Sequence, residues 1–116
     1  MSPRLYRLAL AVALVFAVTM ALLPHPPHVP TDRFGDKFNH MLAFATLAWL
    51  AAKGYPHAAL TRIGERLSFL GALIEVMQAI PALGRDCDIR DWIADTLAIA
   101  VVLLFVAALR RRRVAT

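Results

Sequence analysis

Three groups of ionisable and amide side chains lie in or beside apolar stretches of the chain. Glu75 and Gln78 are three residues apart, with Gly71 four residues before Glu75, so on a helix the three share one face. Asp88, Asp91 and Asp95 repeat at three and four residues, which makes a second shared face if their helix begins early. Asp36, Lys37 and His40 form the third group, with Asp36 and His40 about one helical turn apart. Brought together, His40 and Glu75 could act as general acid and base. A carboxylate-rich cavity containing His40 could also hold a divalent cation. No obvious nucleophile accompanies them, and no spacing is specific to a metal. The sequence therefore assigns neither metal nor cofactor. A purely structural role is the alternative, in which Glu75 and the aspartates pair with Lys37, Arg85 and Arg90 and hold helices together.

The elements that must position these groups follow from composition. Of the 116 residues, 59% are hydrophobic, against ~45–50% in soluble domains, and the mean hydropathy is +0.60. The apolar residues gather into blocks that read as membrane spans at about 5–23, 37–53, 62–80 and 91–109. The expected fold is all-α: a single domain over residues 1–116, an integral membrane bundle of four transmembrane helices. Pro24, Pro26, Pro27 and Pro30 stop the first block, because proline lacks the amide donor and forces its predecessor to extended geometry. His25 and His28 lie in that connection with no third metal ligand fixed beside them, so they read as a solvated pair. Gly54, Tyr55 and Pro56 mark the second turn and Pro81 the third. A cleaved signal peptide is the rival reading of the first block, but the run is long and the small-residue pattern after it is poor. Ala9, Ala13, Ala17 and Ala21 form a small-residue stripe on that helix. With Gly71, Ala94 and Ala98, these are the expected points of close helix approach, while Leu103 reads as lipid-facing. The lone Cys87 excludes an internal disulfide.

Charge placement sets orientation. The net charge is +5 and the pI about 10.4, but the basic residues are dispersed to the ends of apolar blocks and make no single patch for nucleic acid. Arg4, Arg7, Lys53, Arg62, Arg66 and the arginines at 110–113 put nine on one side, against four for Arg33, Lys37, Arg85 and Arg90. The excess marks the cytoplasmic side, so both termini are expected there. All three polar groups then lie toward the outward end. The arginine run reads as a topological stop that closes the last span, and it could also hold anionic lipid at about 1 kcal/mol per charge.

The ordered set Asp36-Lys37, His40 and Phe44, then Gly71, Glu75 and Gln78, then Pro81, Arg85, Asp88 and Asp91 resembles the polar signature of the VanZ-like membrane proteins over about residues 34–102. The resemblance implies a small multi-pass protein of the bacterial cytoplasmic membrane, from a family whose founding member is associated with low-level resistance to the glycopeptide antibiotic teicoplanin. It supplies no molecular mechanism. Two departures concern the last helix, where Asp95 replaces the family's usual asparagine and Ala98 the following glycine.

The leading expectation is an outward polar site for a cell-envelope component, such as a lipid or cell-wall precursor headgroup, built from Asp36, Lys37, His40, Glu75, Gln78, Arg85, Asp88, Asp91 and Asp95. Within it Glu75 and Arg85 are expected to act as a coupled pair. The expected partners are the bilayer and that headgroup, with no nucleic acid. An enzyme reading uses Glu75 or His40 as acid or base on a lipid-linked substrate, in a hydrolase or transferase, with Arg85 steadying a phosphate or carboxylate. A third reading is an ion-coupled transport element using Glu75 and Asp95, for which four helices would need to assemble as a homo-oligomer.

Overall fold

The computed structural model describes residues 2–23, 36–80 and 88–115, which form four helices: α1 (Pro3–Leu22), α2 (Asp36–Gly54), α3 (Leu60–Gln78) and α4 (Ile89–Ala115). Their ends have local causes. Ser2 caps α1, its hydroxyl accepting the Leu5 amide at 3.4 Å, and Pro3 follows at a position where the missing N–H costs nothing. Asp88 caps α4: its Oδ1 accepts the Arg90 amide at 2.9 Å, and its carbonyl accepts the Asp91 amide at 2.9 Å. Asp91 in the first turn of α4 and Arg112 and Arg113 in the last complement the helix dipole.

The helices run up and down in an elongated bundle of 52 × 26 × 25 Å. The end of α2 abuts the start of α1, where a Cβ added at Gly54 would lie 2.9 Å from Arg7 Cγ and 3.2 Å from its backbone nitrogen. At the same end, the Arg110 guanidinium on α4 donates to the Ala52 carbonyl at 3.0 Å. At the other end, Gln78 Nε2 on α3 donates to the Ala21 carbonyl of α1 at 2.9 Å. Arg4, Arg7, Lys53, Arg62, Arg66 and the arginines at 110–113 thus share one end. Glu75, Asp88, Asp91 and Asp95 share the opposite one. The core is built around α2, which contributes Phe44, Leu47, Ala48, Ala51 and Ala52 and meets Leu10, Ile63, Leu67, Ile74, Ile99, Leu103 and Val106 from its neighbours. Small residues on α2 let the other helices come close.

The helix positions match the expected spans to within a few residues, with one exception and one reversal. α4 does not stop at 109 but continues through the arginines to Ala115, because arginine is a good helix former and favours the last turn. Leu103, expected to face lipid, is buried at 7% exposure and lies 3.1 Å from where a Gly64 Cβ would sit, so it faces the core and not outward. Ala13, Ala17 and Ala21 do pack against the core, and Gly71 takes a close approach. Gly54 and Gly64 are closer still and were not expected.

Pro3–Leu22 and Ile89–Val114 are long and apolar enough to cross a membrane. α2 and α3 are each 19 residues, of similar length to α1, but carry more polar residues. Large apolar side chains cover much of the outside: Leu8, Val12 and Val15 on α1, Phe69 and Val76 on α3, Leu97, Val101 and Leu104 on α4.

Candidate functional site

The polar residues of the carboxylate end belong to three helices. His40 stands in the second turn of α2, Glu75 and Gln78 in the last turns of α3, and Asp91 and Asp95 in the first two turns of α4. The up-and-down topology places these segments side by side. One ligating atom each from His40, Glu75 and Asp91 lies within 4.8 Å of the others. His40 and Asp91 are half-buried, while Glu75 is 7% exposed. Asp95, one turn deeper along α4, is 2% exposed and Gln78 1%. The bundle therefore buries polar groups and displays apolar ones at this end.

Glu75 is held by the start of the neighbouring helix. The Asp88 backbone amide donates to Glu75 Oε2 at 3.0 Å, so a carboxylate on α3 satisfies the amide of the residue that caps α4. This fixes the orientation of the carboxylate and joins the two helices. Gln78 uses its Nε2 on Ala21, and its Oε1 accepts no hydrogen bond among the described residues.

The wall beneath the cluster is apolar and tightly tied. Gly71 sits between Phe44 and Trp92: a Cβ there would meet Trp92 Cδ1 at 3.4 Å and Phe44 Cζ at 3.5 Å. The Trp92 indole donates to the Ser68 carbonyl at 2.9 Å, and the Ser68 and Thr96 hydroxyls are 2.9 Å apart. These contacts lock the rotation of α4 against α3, and with it the direction in which Asp91 and Asp95 point. Trp92, Ser68 and Thr96 were not among the expected site residues. A tryptophan beside an aspartate run was the available signal, because a buried indole N–H seeks a partner.

Of the other expected members, Asp36 and Lys37 open α2, and their side chains lie outside the described residues. Arg85 also lies outside them, so the Glu75–Arg85 pair is not described, and the connection carrying His25 and His28 is likewise outside. Asp88 serves as the α4 cap with its side chain turned outward, 3.5 Å from Arg90 Nε in an exposed ion pair. Such a pair contributes little to stability.

The arginine end has a different character. A groove of about 670 Å³ opens there, lined by Tyr6, Trp49, Lys53, Leu109, Arg110 and Arg113 among others. The Lys53 ammonium lies over the Trp49 ring, 5.0 Å from its centroid, and the Arg7 guanidinium lies 5.5 Å from that of Tyr55, both within cation–π range.

No family model, curated protein or solved structure matches the chain, so the resemblance to VanZ-like proteins rests on its ordered polar residues.

Proposed function

We propose that the chain is a VanZ-like membrane protein with four spans, resident in a bacterial cytoplasmic membrane with both termini inside. Its outward end binds the polar headgroup of an envelope component, either a lipid or a cell-wall precursor. The observation that carries this reading is the end-to-end polarity of a bundle whose outer surface is largely apolar. Carboxylates are buried at one end, nine basic residues gather at the other, and apolar side chains cover much of the surface between. A water-soluble bundle has little reason to bury Glu75, Gln78 and Asp95 while exposing Phe69, Val101 and Leu104, whereas a bundle in lipid places its polar groups inward by necessity.

The lengths support the same reading. Asp91 and Arg110 are separated by about 28 Å along α4 at 1.5 Å per residue, close to the ~30 Å of a hydrocarbon core. That spacing puts Asp91 near one boundary, Arg110 near the other and Asp95 one turn inside. Tyr6, Trp49 and Tyr55 fall toward the arginine end, and Trp92 toward the carboxylate end, the interfacial places such rings favour. On α3, Arg62 and Gln78 are about 24 Å apart along the axis, less than the hydrocarbon thickness, which sets Glu75 and Gln78 inside the outer boundary. The half-exposure of His40 and Asp91 suits a headgroup site better than a buried strut does.

The test is topology followed by binding. In a Cys87→Ser background, a cysteine introduced by His28→Cys should react with a membrane-impermeant maleimide in intact cells. Reaction only after the inner face is opened would overturn the orientation. Purified protein should then retain an envelope lipid or precursor through delipidation, and the variant Asp91→Asn should lose it at equal folded yield. Retention equal to wild type would remove the headgroup assignment.

A further inference from the structure

The geometry points to a divalent-cation site formed by His40, Glu75 and Asp91, for an ion of the Zn²⁺ or Mn²⁺ class. Three separate helices each deliver one donor to a common point, and all donor atoms fall within 4.8 Å of one another. Around a tetrahedral ion with ligands at ~2.0–2.2 Å the donor atoms are about 3.3–3.6 Å apart. The widest pair therefore needs to close by no more than about 1.5 Å, a distance that side-chain torsions supply without moving a helix.

Donor chemistry narrows the ion. One imidazole with two carboxylates is a mixed nitrogen and oxygen set, which suits borderline and harder transition ions and disfavours those that seek thiolate. Two carboxylates also match the charge of a doubly charged ion. That balance matters here, because Glu75 is more than nine-tenths buried and a buried charge is costly unless it is paired or bound to a metal. The Asp88 amide on Glu75 Oε2 at 3.0 Å supplies the outer hydrogen bond that commonly orients a metal-bound carboxylate. His40 and Asp91 are only half-buried, so two of the three residues keep contact with solvent.

Three protein ligands leave a tetrahedral Zn²⁺ one open position and an octahedral Mn²⁺ three, the arrangement of sites that take water or an exchangeable ligand. A phosphate or carboxylate oxygen fits that position. The inference thus deepens the proposed function by naming an anionic oxygen as the group recognised, with the metal as the recognising element. Ion binding itself rests only on the three side chains and is measured without any headgroup.

The experiment uses the full chain, purified in detergent through a tag that contains no histidine, stripped with a chelator and dialysed against Zn²⁺ or, separately, Mn²⁺. One ion per chain is expected by elemental analysis. Loading with Co²⁺ should give a visible ligand-field spectrum. Affinity should fall at least ~10-fold in His40→Gln and in Asp91→Asn, whereas Glu65→Gln, an exposed carboxylate of α3 at the arginine end, should bind as wild type does. Absence of stoichiometric binding by the wild-type chain overturns the site, as does affinity untouched by both His40→Gln and Asp91→Asn. Ion binding without headgroup retention would sink only the proposed function. Outward labelling at position 28 with no ion bound would sink only this inference.

Discussion

Replacing Glu75 in two ways separates its charge from its role as a hydrogen-bond acceptor. The carboxylate accepts the Asp88 amide at 3.0 Å and so ties the start of α4 to α3. Glutamine preserves that contact, because its amide oxygen is also an acceptor, and it removes only the charge. Leucine removes both. An amide left without a partner costs about 1–3 kcal/mol, and since Asp88 is half-buried water recovers part of it, which places Glu75→Leu near 1–2 kcal/mol. For Glu75→Gln two effects oppose. A hydrogen bond to a charged acceptor is stronger by about 1 kcal/mol than one to a neutral acceptor, but the variant no longer buries a carboxylate. The net change should stay within about 1 kcal/mol. Helical content followed through an SDS titration of the detergent-solubilised protein measures both variants. If the charge serves a ligand, Glu75→Gln keeps wild-type stability and loses metal and headgroup binding. Equal destabilisation by glutamine and leucine would refute the reasoning, because the charge would then be holding the bundle together. Undiminished binding by a stable Glu75→Gln would also refute it.

The glycines grade the helix contacts. Gly71→Ala should be tolerated, since its Cβ meets neighbours at 3.4 Å and beyond, whereas Gly71→Leu overpacks the Phe44–Trp92 gap and should cost about 1–3 kcal/mol. Gly54→Ala should lower stability in the same titration where Gly71→Ala does not, because its Cβ would meet Arg7 Cγ at 2.9 Å and the Arg7 backbone nitrogen at 3.2 Å. Leu103→Ala should cost about 2–5 kcal/mol and its neighbour Leu104→Ala, 67% exposed, far less; equal effects would mean that α4 is rotated from the orientation described.

Helix number and helix position were legible in the sequence, because apolar blocks of membrane length end at proline, glycine and charge, and those breaks act locally. The shared face of Gly71, Glu75 and Gln78 was legible for the same reason: the helical repeat places them together whatever the helix packs against, and Gly71, Glu75 and Gln78 are all buried. The segregation of nine basic residues from Glu75, Asp88, Asp91 and Asp95 also followed from alternating chain direction alone. Rotation of α4 about its own axis did not. α4 is apolar on nearly every side between Ile99 and Leu109, so no stripe in its sequence tells the inward Leu103 from the outward Leu104, and the usual amphipathic signal is absent. Only packing decides it, through the Trp92–Ser68 and Thr96–Ser68 contacts that set α4 against α3. The meeting of His40, Glu75 and Asp91 depends on that rotation. So does the hold of the Asp88 amide on Glu75, because two residues 13 apart in the chain come within bonding distance only once α3 and α4 have been turned toward one another.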